Sequence, residues 1–203
     1  MQLVVNDVHT SSPIRIDPDH GLSEKAFYEF CLANPDLRIE QTSGGAIEIM
    51  PPTALSAGYR NNEISRQLGN WSKADGRGLT FDSSTAFRLP SRALRSPDAS
   101  WVLRSRLQAF SKNEKESSFL SLTPEFIIEL RSASDSLSRL QAKMGEWMDN
   151  GVLLGWLIDP STRKVHVYRP GSPPEVVAKL SRLRGEGPVQ GFQLDLTDIW
   201  AEL

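Results

Sequence analysis

"PEFIIELRSASDSLSRLQAKMGEWMDNGVLLGWLID" occupies residues 124–159 and reads as a strand, a helix and a second strand. In its first part Phe126, Ile128 and Leu130 alternate with Ile127, Glu129 and Arg131, the period of two that sends side chains to opposite faces. The pattern then lengthens. At 100° per residue, Leu137, Leu140, Met144 and Trp147 fall within an arc of roughly 80°, the apolar stripe of a helix lying on a core. Asn150-Gly151 ends that helix and "LLGWLID" begins the next strand. One residue does not suit the pattern. Glu129 stands among Ile127, Ile128 and Leu130, and an ionised carboxylate there is costly unless a cation or a hydrogen-bond network takes it up.

Outward from this stretch the chain continues to alternate helices and strands. "KVHVYRP" pairs with "LLGWLID" around the turn "PSTR", and "GFQLDLTDIWAEL" reads as a short strand with a terminal turn. His166, between Val165 and Val167, is expected to be exposed or at a sheet edge. Upstream, "PDASWVL" is a strand headed by Asp98, and "LTFDSSTAFRLP" is another. "SAGYRNNEISRQLGNWSKADG" is a helix whose Ile64, Leu68 and Trp71 share a face and whose end is marked by Gly76. "LRIEQTSGGAIEIMPP" is a hairpin around Ser43-Gly44-Gly45. "LSEKAFYEFCLANPD" is a helix capped by Ser23 and stopped at Asn34-Pro35. Residues 1–21 read as an irregular arm, and 104–118 as a polar, mobile loop or short helix. The order predicts an α/β (α+β) mixed sheet with an N-terminal helix and hairpin, in one domain over residues 22–203.

The 203 residues carry a formal net charge of −2, less basic than a coat protein for nucleic acid would be, though a local basic groove is compatible with it. A single cysteine, Cys31, rules out an intrachain disulfide and a cysteine-rich zinc site; it reads as a small core residue. No stretch approaches the roughly 20 apolar residues that cross a bilayer, and the first residues lack the basic and apolar regions of a secretory signal. A cytoplasmic protein without a membrane partner is expected. There is no glycine-rich phosphate loop.

On a strand, Glu129 and Arg131 point the same way. If the strand headed by Asp98 pairs with the strand of Glu129, the two carboxylates converge, and such a pair attracts a hard cation such as Mg²⁺ or Mn²⁺. Lys143 lies about 60° from Leu140 at the edge of the apolar stripe, so its stem can lie on the core while its ammonium reaches a neighbouring site. Spacing alone leaves other roles open. Glu129 could be a structural partner of Arg131 or Lys143, Asp98 a turn or strand cap, and Lys143 a surface lysine. Ser132, Ser134 and Asp135 read as the loop and cap before the helix.

"SPDASWV", "GGAIEIMPPT" and the stretch from "PEFIIELRS" to "VHVYRPG" resemble the Uma-type family of putative restriction endonucleases, in the PD-(D/E)XK nuclease superfamily. The likeness extends over about residues 22–200. It implies a restriction-endonuclease-like mixed sheet flanked by helices, and an endonuclease that hydrolyses phosphodiester bonds in DNA with Mg²⁺ or Mn²⁺. Asp98 matches the first aspartate and Glu129 the second acid, both metal ligands. Arg131 stands at the lysine position, and an arginine cannot serve as a proton acceptor as lysine can. The resemblance allows Lys143, on the following helix, to supply that lysine, with Arg131 stabilising phosphate charge. Glu63 is the candidate for a further metal-binding glutamate from the first core helix; as a plain residue it is a solvent-facing one. Arg88, Arg92, Arg95, Arg104 and Arg106 bracket Asp98 and are candidates for phosphate contact or for a solvated face. Cutting both strands of a duplex takes two sites, so a homodimer is implied. The alternative is a catalytically inactive nuclease fold that serves as a nucleic-acid-binding or assembly module, which the arginine at 131 favours.

Overall fold

The computed structural model describes residues 14–18, 22–117 and 119–202. Along these the elements are β1 (Ile14–Ile16), α1 (Glu24–Leu32), β2 (Arg38–Gln41), β3 (Ile47–Met50), α2 (Leu55–Asp75), β4 (Gly78–Asp82), β5 (Phe87–Arg88), β6 (Leu94–Arg95) and β7 (Ala99–Leu103). Then follow α3 (Arg104–Leu107), α4 (Lys112–Ser117), β8 (Phe126–Leu130), α5 (Leu137–Asp149), β9 (Leu154–Asp159), β10 (Lys164–Tyr168), β11 (Glu175–Ala178), β12 (Arg182–Arg184), β13 (Gln193–Asp195) and α6 (Thr197–Trp200).

The quoted stretch forms β8, α5 and β9. β8 and β9 are parallel, with Phe126 opposite Leu154 and Leu130 opposite Ile158, and α5 supplies the crossover that parallel neighbours require. They are the centre of a six-stranded sheet in the order β11-β10-β9-β8-β7-β4, whose other pairings are antiparallel. Every residue of β8 and β9 is buried, as central strands covered on both faces require. Phe126, Ile128, Leu130, Trp156 and Ile158 meet Ile64 and Leu68 of α2 on one face. Ile127 and Leu157 meet Met144 and Trp147 of α5 on the other. The alternation read from the sequence is therefore the two-sided packing of the sheet.

A five-stranded sheet, in the order β1-β3-β2-β6-β5, stands beside it. β2 and β3 form the expected hairpin, and Gly45 takes the positive φ of 88° that its turn requires. Phe27 of α1 packs with Ile39, Ile47 and Leu94 beneath this sheet, and Ser23 caps α1 by accepting from the amide of Ala26. β12 and β13 form a separate antiparallel pair.

Three expectations change. Ile14–Ile16, placed in the irregular arm, is an edge strand paired with β3; residues 1–13 and 19–21 lie outside the described residues. "LTFDSSTAFRLP" is two strands in different sheets, because Asp82 accepts from the Ser84 amide and from the Ser84 and Thr85 hydroxyls and turns the chain. His166 is buried on β10 between β9 and β11, and burial lowers its pKa.

Where α2, β4 and β7 meet, the Trp101 indole donates to the Ser72 hydroxyl at 3.1 Å, and that hydroxyl donates to the Gly78 carbonyl at 3.1 Å. A methyl at Gly78 would overlap the fully buried Trp101 ring. Gly78→Ala is expected to cost about 1–3 kcal/mol, read as a lower urea midpoint at unchanged slope.

Candidate active site

β7 and β8 pair with Ala99 opposite Ile128, and that antiparallel register carried one residue further sets Asp98 opposite Glu129. The two acids are held differently. Oδ2 of Asp98 accepts from the Leu130 amide at 2.8 Å. Its Oδ1 has only loose partners, the Asn61 carboxamide at 3.4 Å and the Arg38 guanidinium at 3.6 Å. Glu129 is 2% exposed, and its Oε1 takes the Trp147 indole N–H at 2.9 Å and the Lys143 ammonium at 2.9 Å. Both acids, with Arg38, Asn61 and Lys143, line a cavity of about 1080 Å³.

Lys143 comes from α5, as the edge of its apolar stripe suggested. Its ammonium also donates to Glu40 Oε1 at 3.0 Å and to the Ser96 carbonyl at 3.2 Å. Burial works against its charge, but Glu129 and Glu40 outweigh burial, so its pKa stands above the ordinary lysine value. It is an ammonium at neutral pH and acts as a charge. Burial lifts the Glu129 carboxyl to about 7; Lys143 pulls it down while Asp98 and Glu40 push it up.

Behind this pair lies a second layer that the sequence reading missed. Glu40 and Glu48 face each other across the β2–β3 hairpin, where like charges repel. Arg95 resolves the conflict. Its Nη1 donates to Glu40 at 3.0 Å and to Glu48 at 2.7 Å, and its Nε to Glu146 of α5 at 2.5 Å. Glu40 is fully buried, yet Lys143 and Arg95 outweigh that burial and hold its carboxyl below the usual range. The signal used for Glu129 recurs at Glu48, between Ile47 and Ile49, and more weakly at Glu40, which follows Ile39 in a strand otherwise polar.

Four candidates stand elsewhere than expected. β8 ends at Leu130, and beyond it Arg131 turns to Asp159 at 2.9 Å and to the Asp135 carbonyl at 3.2 Å. It still borders the cavity, but the partner of Glu129 is Lys143. Glu63 is buried rather than solvent-facing and is paired with Arg66 on its own helix, away from the cavity lining. Two residues along a helix is a turn of about 200°, so α2, which presents Asn61 to Asp98, directs Glu63 elsewhere. Arg95 and Arg88, candidates for phosphate contact or a solvated face, are buried and internally bonded, the latter to Gln41 at 3.1 Å and the Arg92 carbonyl at 2.9 Å.

Among the described residues no three His, Cys, Asp or Glu side chains gather into a metal cage. The smaller set suits Mg²⁺ or Mn²⁺ nonetheless, because such an ion uses one or two carboxylates and fills its other positions with water and phosphate. Asp98 Oδ1 is loosely held, and burial beside two other acids makes Glu129 hard to ionise. A divalent cation between them would relieve both.

A mixed sheet carrying Asp98, Glu129 and Lys143 to one cavity around a parallel strand–helix–strand unit defines a restriction-endonuclease-like protein. Residues 25–197 match the Uma2 family, described as "Putative restriction endonuclease", and the chain belongs to that family. It is also similar to the 1.96 Å crystal structure of a putative nuclease belonging to DUF820 from Anabaena variabilis ATCC 29413. The identity is 22% and the TM-score 0.65, over 80% of this chain and 89% of that one, a likeness of fold. No curated protein matches the chain.

Removing the charge of Arg95 leaves Glu146 without its cation and Glu40 and Glu48 with only Lys143 and Arg139, so Arg95→Met is expected to cost about 3–5 kcal/mol in denaturant unfolding. The pH dependence follows from Glu129. Between its ordinary value of 4.5 and about 7 the folded protein keeps a proton that the unfolded chain has lost. Glu129 therefore makes the fold less stable as pH rises through that window. Buried His166, with its lowered pKa, acts in the opposite sense near its ordinary value of 6.5. Subtracting the stability profile of Glu129→Gln from that of the wild type cancels His166 and should leave a curve falling from pH 5 to 7.

Proposed function

We propose that the protein is a divalent-cation-dependent endonuclease, a hydrolase of DNA phosphodiester bonds. The observation that carries this reading is the placement of Asp98 opposite Glu129 at the mouth of a cavity, with Lys143 at 2.9 Å from Glu129. Membership of the family described as a putative restriction endonuclease supports it, as does the name of the Anabaena relative. In this reading Asp98 Oδ1 and the Glu129 carboxylate hold Mg²⁺ or Mn²⁺. The ion supplies an acidified water and stabilises charge on the phosphoryl oxygens. Lys143 favours the charged form of Glu129 against its burial, fixes its orientation together with Trp147, and adds positive charge beside the reacting phosphate. It takes the part that the family pattern gives to the lysine after the second acid. Arg131 braces the end of β8 against Asp159 rather than serving in the chemistry, and Glu63 stays outside the ligand set. One site cuts one strand, so cleavage of a duplex would take a homodimer. Among the described residues no helix is long and apolar enough to cross a membrane.

A second reading, an inactive fold that binds nucleic acid or assembles with a partner, draws on the same geometry. Lys143 lies against Glu129 and Arg38 near Asp98, so the charges already compensate one another. Supercoiled plasmid with Mg²⁺ and then Mn²⁺ separates the two. The nuclease should nick it only with the metal, and Asp98→Ala or Lys143→Ala should slow nicking on the order of a hundredfold or more. Mg²⁺ should also shift the Trp147 indole N–H resonance, because that group bonds to Glu129. Metal-independent nicking, or plasmid left intact together with a Trp147 signal indifferent to Mg²⁺, would reject the endonuclease.

A further inference from the structure

Lys143, Arg95, Arg131 and Arg38 border the cavity with the two acids, and the first three are ion-paired with carboxylates other than Asp98. Lys143 is shared among Glu129, Glu40 and the Ser96 carbonyl. Arg95 is divided among Glu40, Glu48 and Glu146. Arg131 is tied to Asp159 and to the Asp135 carbonyl. Arg38 differs. Its Nη2 donates to the Ser96 carbonyl at 3.1 Å and stands 3.6 Å from Asp98 Oδ1, and its Nε is buried with no acceptor. Beside it, Asn61 donates to Asp98 Oδ1 at 3.4 Å, while its own Oδ1 is buried with no donor. A polar atom left unpaired in the interior costs about 1–3 kcal/mol. Here an orphan donor and an orphan acceptor border one cavity, on either side of the loosely held oxygen of Asp98.

We propose that Arg38 seats the scissile phosphodiester, its guanidinium turning from Asp98 to a non-bridging phosphate oxygen while Asn61 Oδ1 accepts a hydrogen from the water that enters with it. This rests on the nuclease reading above and assigns the phosphate-binding part, given by position in the sequence to Arg131, to a residue of the hairpin. The guanidinium fork suits a phosphate, which accepts two parallel N–H bonds. At 30% exposure, the Arg38 side chain can be reached from solvent. Its departure from Asp98 also frees Oδ1 for a cation, so cation and phosphate would enter together.

Three measurements test this. The first follows the Arg38 Nε–H resonance, assigned with Arg38→Lys, during titration with the dinucleoside phosphodiester TpT or with inorganic phosphate, each in Ca²⁺. TpT should move the signal; movement with inorganic phosphate alone would make this a free-anion site and overturn the assignment. The second is plasmid nicking by Arg38→Gln, expected to fall on the order of a hundredfold, with Arg38→Lys intermediate. The third is the Trp147 indole response to Mg²⁺ in Arg38→Gln, expected to persist at Mg²⁺ concentrations no higher than the wild type needs. Its loss would mean that Arg38 builds the acid pair rather than touching the substrate. Wild-type nicking with full activity in Arg38→Gln overturns Arg38 alone. A wild type that neither nicks nor responds to Mg²⁺ overturns the nuclease reading, and this assignment with it.

Discussion

One ammonium holds the molecule's parts in register. Lys143 reaches from α5 to Glu129 on the central strand and to Glu40 on the hairpin, at 2.9 Å and 3.0 Å. Taking three charges out of water is expensive, and their attraction repays it only where geometry is good and remaining hydrogen-bonding positions are filled. Here they are filled: the Trp147 indole bonds to Glu129, the Ser96 carbonyl takes a lysine proton, and Arg95 supports Glu40 from behind. A hydrophobic trio would hold helix, sheet and hairpin together at least as firmly. What it would not do is leave a carboxylate, an ammonium and a second carboxylate opposite Asp98 facing one cavity.

The division between legible and illegible features follows the range of the interactions. Local patterns carried far. The alternation in "EFIIEL" gave β8 and its two faces, the 3.6-residue stripe gave α5 and the direction of Lys143, and Ser23 and Gly76 marked helix ends. Glu129 was legible as an acid in a costly position, and Asp98 as the head of a strand that could pair with it. The failures came where an element's last residue escapes its period, or where a partner is remote in sequence. Arg131 lies one residue beyond β8 and answers to Asp159, and no periodicity within the strand could say so. Glu63 was judged by the motif of its helix, but the 61–63 spacing decides which of the two faces Asp98. Arg95 looked like a surface cation because the three acids that bury it come from β2, β3 and α5.

Glu40 and Glu48 are the more instructive omission. Glu48 stands between isoleucines as Glu129 does, so the desolvation argument applied equally to it, and Glu40, beside Ile39 in a strand otherwise polar, carries it more weakly. Taken together, three buried acids imply at least as much buried positive charge. The sequence offers few cations near enough in the chain to provide it. The need is met by Arg95 and Lys143, and in part by Arg139, whose guanidinium lies 3.2 Å from Glu48. The count of misplaced carboxylates was thus readable, while the identity of the cations that serve them was not.

The same reasoning bears on the proposed site, where the resemblance expected the positive charge at position 131. In that reading a positive charge is needed beside Glu129, within a few ångströms and shielded from water. A lysine two residues along the same strand is one way to supply it, provided the strand continues. Here the strand stops at Leu130, and the next side chain is claimed by Asp159. α5, obliged by the parallel pairing of β8 and β9 to cross the face that bears Glu129, brings Lys143 over the same acid. The position of the charge is fixed by the sheet and its crossover helix. The position of the lysine in the sequence is not, so long as the helix presents it beside Met144 and one turn from Trp147, whose burial sets its rotation.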